Sequence, residues 1–249
     1  MATQQFDDGV ENVQEAVLSG RKVREHGPYG ILIGDEHLHF QPVVLADPTP
    51  TGRQILNASA KEPAEQYALF RLLPDGLLDQ VRLDEAVDLR SAGAEKFLAF
   101  LTATIYRFQL NGNAMEWGAG RISGMTLKKL AGLDAKTHDL FQVIHGEETL
   151  VEDRALVDLT DPGLEHFATR VVNITIRVNT RPRQVHQREL GYWEIVRIAF
   201  PDAQPSQTAL YTVTYSHGPR ENPEGNLQPL HVVVLKNGMV FHVTPTDRS

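Results

Sequence analysis

The chain has 249 residues, 41% of them hydrophobic, a net charge of −8 and no cysteine, which excludes disulfides, thiolate metal sites and cysteine nucleophiles. No apolar run approaches the roughly 18 residues of a membrane span, and the polar, acidic opening from Met1 to Asp8 lacks the regions of a secretory signal, so a cytoplasmic protein is expected. Charge is uneven, with residues 28–102 at −5 (6 basic, 11 acidic) and residues 171–249 at +2 (8 basic, 6 acidic), a balance that argues against nucleic acid, whose phosphates need a large basic footprint.

In residues 1–27, Val10, Val13 and Val17 predict a short helix or a frayed arm, and so thin a stripe favours the frayed arm. A first unit, 28–102, opens with Gly30-Ile31-Leu32-Ile33, a turn at Gly34-Asp35-Glu36 and His37 to Phe40, which reads as a β-hairpin. Thr51-Gly52 begins a helix carrying Ile55 and Leu56, with Thr51 placed to cap it. Strands follow over Tyr67 to Leu73 and Leu77 to Leu83, around the turn Pro74-Asp75-Gly76. Val87-Asp88-Leu89, Gly93, Glu95 and Phe97 then lead into a closing strand. All of these recur 70 positions later as Val157-Asp158-Leu159, Gly163, Glu165 and Phe167, which is a fixed period.

The second unit, 103–170, therefore replays the first. Ile105 to Leu110, the turn Asn111-Gly112 and Ala114 to Trp117 form its hairpin; a helix starts at Ser123-Gly124; Leu140-Phe141-Gln142-Val143 is a strand. The third, 171–249, is looser: a hairpin of Ile174 to Val178 with Gln184 to Gln187, a helix over Tyr192 to Phe200, a strand from Leu210 to Tyr215, and an ending at Val232 to Leu235, Gly238 and Phe241. The turn-rich loop Ser216 to Gly225 stands where a fourth strand ran. Hairpin, helix and further strands put one helix over one face of a small mixed sheet. The expected fold class is α+β, as three tandem β-grasp domains with a short N-terminal arm.

Residues 28–249 resemble the bacterial multiubiquitin proteins, built from tandem ubiquitin-like domains. The carriers are Thr51 to Leu56, Tyr67 to Phe70, Val87 to Leu89 with Phe97, Tyr215 to Pro219, Asn222 to Gly225, and Lys236 to Phe241. The resemblance implies a substrate of conjugation machinery rather than an enzyme. Its partners would be a cognate activating enzyme, a conjugating enzyme and a JAB-type isopeptidase, in cassettes serving antiphage defence. Chemistry in such a modifier sits on the C-terminal carboxylate, which makes Thr246, Asp247, Arg248 and Ser249 the expected contact with the activating enzyme. This tail has no diglycine, and a β-carbon obstructs a narrow enzyme channel. Either Ser249 is the reacting terminus or the tail does not react.

No cofactor, metal or catalytic site is expected. His37 and His39 lack a third ligand, Glu147-Glu148 and Glu152-Asp153 read as a solvated acidic edge, and Ser123 and Ser216 lack the strand-to-helix elbow of a nucleophile. The joins Phe97 to Ile105 and Phe167 to Ile174 contain neither Gly nor Pro and predict a permanently fused row rather than a precursor cut into single modifiers. With Phe70, Phe141 and Tyr211 taken to point inward, the outward residues are Arg71, Gln142 and Thr212, leaving Leu69, Leu73, Leu140 and Ile144 as apolar rims for partners. An alternative reading is a structural module that self-associates head to tail. In it, Arg177, Arg181, Arg183 and Arg188 around the third hairpin attract the acidic first unit of another copy.

Overall fold

The computed structural model describes residues 6–161, 163–205 and 210–246. Domain 1 contains β1 (Glu11–Asn12), α1 (Val13–Leu18), β2 (Tyr29–Gly34), β3 (Phe40–Leu45), α2 (Gly52–Ala58), β4 (Tyr67–Leu72), β5 (Leu78–Val81) and β6 (Lys96–Leu101). Its sheet runs β1-β2-β6-β4-β5, with β3 also paired to β2. The parallel β2–β6 pair, with Ile33 opposite Phe97, puts the closing strand in the middle. Thr51 caps α2 in a reciprocal box with Gln54, satisfying free amides at the helix start. Ile31, Ile33, Ile55, Leu56, Leu69 and Phe97 fill the space between α2 and the sheet. His37 and His39 lie in the loop before β3 rather than on a strand, because the Asp35 carboxylate accepts both of their N–H groups at 2.8 and 2.9 Å.

Within the described residues the N-terminal arm is not frayed. β1 pairs in parallel with β2, Glu11 opposite Tyr29, and Asn12 caps α1 by accepting the Glu15 N–H at 3.1 Å. Val13 and Ala16 are fully buried. The buried Glu11 carboxylate takes Arg21 at 2.6 Å and also Arg24. Thin apolar spacing missed this tether because backbone pairing and ion pairs hold it together with the burial of Val13 and Ala16.

Domain 2 contains β7 (Tyr106–Leu110), β8 (Asn113–Trp117), β9 (Arg121–Ser123), α3 (Gly124–Leu130), β10 (His138–Ile144), β11 (Glu147–Val151), β12 (Leu156–Asp158) and β13 (Glu165–Val171). The main sheet is ordered β11-β10-β13-β7-β8, with β9 and β12 in a separate ladder. Domain 3 contains β14 (Ile174–Val178), β15 (Arg181–Val185), β16 (Glu189–Gly191), α4 (Tyr192–Ala199), β17 (Leu210–Ser216), β18 (Gly225–Asn226), β19 (Val232–Val234) and β20 (Val240–Thr246). Its sheet is ordered β15-β14-β20-β17-β18. β15 begins three residues before the expected Gln184 because Asn179 and Thr180, at φ +48° and +71°, make the tight two-residue turn of a hairpin. The fourth strand survives as the short β18, paired with Thr214 and Tyr215.

Two compact units result. One holds domains 1 and 2 up to Thr169 apart from Asp134–Asp139; the other holds that segment and the chain from Arg170 onward. Domains 1 and 2 share a core. On β4 and β6, Ala68, Phe70, Leu98 and Phe100 point away from α2 and join Phe108, Met115, Trp117, Leu127 and Leu130 of domain 2. Phe100 meets Trp117 edge-on at 4.8 Å between ring centres, and Phe70 at 5.8 Å. Backbone contact completes the fit: a Cβ on Gly118 would drive into the Phe100 ring, and one on Gly76 into the Leu130 carbonyl.

Two outcomes follow from this packing. Phe100→Ala should cost about 3–5 kcal/mol of unit 1 stability, as large-to-small changes in a close-packed core do, read from urea denaturation of the full chain. For the arm, burial alone pushes the Glu11 carboxyl up, but hydrogen bonds from Arg21 and Arg24 outweigh it and hold the carboxyl below the ordinary 4.5. A depressed folded-state value contributes stability that is complete above that pH and is lost as pH falls below it. Melting temperature should therefore fall more steeply in acid for the natural chain than for Glu11→Gln, and parallel curves would rule the tether out.

Candidate interaction surfaces and the C-terminal strand

β20 runs through the centre of the domain 3 sheet. On one side it pairs with β17 along its length, from Ser216 opposite Val240 to Leu210 opposite Thr246. On the other side β14 reaches only Val240 and Phe241. There the Asn179 side chain takes over: its amide donates to the Val243 carbonyl at 2.9 Å and accepts the Val243 N–H at 2.8 Å. Past this clamp, among the described residues, the strand pairs with β17 alone, with the Thr212 and Thr246 hydroxyls 3.0 Å apart. Asn111 does the same in domain 2, accepting the Thr169 N–H at 2.8 Å. Both asparagines sit at positive φ, +52° and +48°, a conformation that asparagine tolerates better than most residues. Sequence reading found the Asn111-Gly112 turn but not the clamp, whose only signal was asparagine at the equivalent point of two hairpins.

Thr246 is exposed at the end of β20, while Asp247, Arg248 and Ser249 lie outside the described residues. The rim assignments need correction. Leu69 and Leu140 are core residues, 1% and 0% exposed. In domain 1 the phase is the reverse of the expected one: Leu69 faces α2 and Phe70 faces domain 2. In domain 3 Tyr211 does pack towards the core. Leu73 is half-buried, and Ile144 is 49% exposed at the end of β10.

The four arginines do not form one patch. Arg177 alternates with the buried Ile176 and Val178 and so lies on the open face; Arg181 and Arg183 stand opposite those two core residues on β15, on the other face. Arg188 is engaged by Asp139, and its backbone N–H donates to Lys136 at 2.8 Å. The acidic edge is only partly solvated, since Asp153 pairs at 2.6 Å with Lys128, whose side chain is almost fully buried.

The open sheet faces differ in kind. That of domain 1 is aromatic and covered. That of domain 3 presents Thr212 opposite Thr244 and Thr214 opposite His242, a hydroxyl-rich, water-compatible surface. Domain 3 instead exposes an apolar strip at Leu230, Val232 and Val234, the two valines on one face of β19. Among the described residues no group of three metal-ligating side chains converges, and no helix is long and apolar enough to cross a membrane.

A sequence model of the multiubiquitin family matches residues 37–102, 106–171 and 174–247, once for each β-grasp domain. The chain belongs to the multiubiquitin family. A search of curated proteins finds no match to it. As a multiubiquitin it is a tandem ubiquitin-like protein, and in its last domain the equivalent of the internal connecting strands becomes the strand that leads to the tail.

The clamp has a measurable consequence. Asn179→Ala should destabilise domain 3 by about 2 kcal/mol, from two lost hydrogen bonds at roughly 1 kcal/mol each. It should also speed amide exchange at Val243 by at least about tenfold relative to Val213. Unchanged exchange at Val243 would mean that β17 alone fixes the strand.

Proposed function

We propose that this multiubiquitin is a non-catalytic modifier or carrier in a bacterial ubiquitin-like conjugation pathway, acting in the cytoplasm and serving antiphage defence. The observation that carries the reading is the exit of β20. It is clamped as far as Val243, then among the described residues paired on one side only as far as the exposed Thr246. A rigid β-grasp body thus presents a loosely held extended segment, the form an enzyme channel accepts. In the first step a carboxylate of this tail attacks the α-phosphate of ATP, forming an acyl adenylate and releasing pyrophosphate. The reacting carboxylate is that of Ser249 or one that trimming exposes upstream.

Thr246, Asp247, Arg248 and Ser249 would then contact the activating enzyme, with the strip at Leu230, Val232 and Val234 as a docking surface on the same domain. The conjugating enzyme receives the activated tail, and a JAB-type isopeptidase reverses the linkage. The shared core of domains 1 and 2 supports a modifier that acts as a fused body, not as a source of single units.

Incubating the purified chain with its cognate activating enzyme and ATP should yield adenylate on a C-terminal peptide, seen by mass spectrometry, together with pyrophosphate release. No adenylate from an enzyme that activates a control substrate would reject the reading.

A further inference from the structure

A cavity of about 830 Å³ lies between domain 1 and the C-terminal end of α3. Its walls are mostly apolar, with Leu32, Phe40 and Leu72 from one domain and Leu130 from the other. It exists because the two domains share a core. Glu95 and Gln14 also line it. Glu95 is only 7% exposed, and among the described residues its Oε2 is buried without a hydrogen-bond partner. The neighbouring cation does not supply one: the Lys96 ammonium sits over the Phe40 ring, 5.5 Å from its centre.

A buried acceptor without a donor is costly, and a carboxyl oxygen most of all. The strongest match to this carboxylate is a positive donor carried in through an apolar passage. We propose that the cavity binds a basic side chain of a partner protein, an arginine or lysine in an extended segment. Its methylene stem lies along Leu32, Leu72 and Leu130, and its cationic head pairs with the Glu95 carboxylate. A long aliphatic stem with a charged tip is the side-chain form that covers apolar surface while delivering charge. The cavity volume exceeds that of one such side chain, which leaves room for flanking peptide. Lys129, Asp75 and His39 on its lining are exposed and give that peptide a polar rim. The site is independent of the tail and of any conjugation step.

The test uses the full chain with methyl-labelled leucines and three probes: a short arginine peptide, the same peptide with citrulline, and free agmatine. The arginine peptide should shift the Leu32, Leu72 and Leu130 methyls saturably, and the citrulline peptide should bind at least about tenfold more weakly, since the charge-assisted bond is lost. Glu95→Gln should abolish that preference without lowering the melting temperature, because no internal partner is lost. Ala131→Phe, filling the cavity from the α3 cap while keeping Glu95, should abolish arginine-peptide binding. Any one of four results overturns the proposal: no saturable shifts, equal binding of the arginine and citrulline peptides, a preference that survives Glu95→Gln, or unchanged binding by Ala131→Phe. Agmatine binding as tightly as the peptide would also overturn it, by making a free amine the ligand.

Discussion

A β-grasp sheet has one face covered by its own helix and a second face left over, and in domain 1 the second face is built from Ala68, Phe70, Leu98 and Phe100. Water is a poor neighbour for two aromatic rings and a leucine side by side. Domain 2 covers them through Trp117 and the end of α3, and the absence of side chains at Gly76 and Gly118 lets the two backbones approach. This one requirement fixes the join between the domains, makes a single body of them, and leaves a cavity at the edge where the fit is incomplete. The buried Glu95 is tolerated at that edge and nowhere nearer the centre.

The closing strand carries a second role in each domain. β6 lies between β2 and β4, with apolar residues on both of its faces, and then crosses into domain 2. β13 is clamped by Asn111 and then crosses into domain 3. β20, clamped in the same way by Asn179, leads to the tail. An element used as a connector in two places becomes an exit in the third without any change of fold. The chemistry of the open faces agrees with this order, since the apolar face belongs to the first domain and the hydroxyl-rich face to the last.

Most of the architecture could be read from the chain. The 70-residue recurrence marked the units, and Thr51, Ser123 and the glycines after them marked the helix starts, because capping and turn chemistry are local and act wherever they occur. What failed was facing. The run Phe97-Leu98-Ala99-Phe100-Leu101 predicts a permanently fused join, and an uninterrupted apolar strand is also the mark of burial on both faces. The phase of Leu69 and Phe70 was reversed for the same reason: both are hydrophobic, so alternation carries no information there. The burial of Glu11, Glu95 and Lys128 is not legible in the chain, because a charged residue in sequence reads as surface, and only tertiary contacts show that it is inside. The carboxy-terminal residues are proposed on resemblance and not on any pattern in the chain.

The order of synthesis gives the shared core a further consequence. A ribosome releases domain 1 first, complete in its own sheet and helix but with Phe70, Leu98 and Phe100 uncovered until β7 to α3 of the next domain follow. At common elongation rates that interval lasts on the order of seconds, long enough for aromatic surface on a nascent chain to meet another nascent chain or a chaperone. Crowded polysomes, more than the finished protein, are where this molecule is most exposed to aggregation.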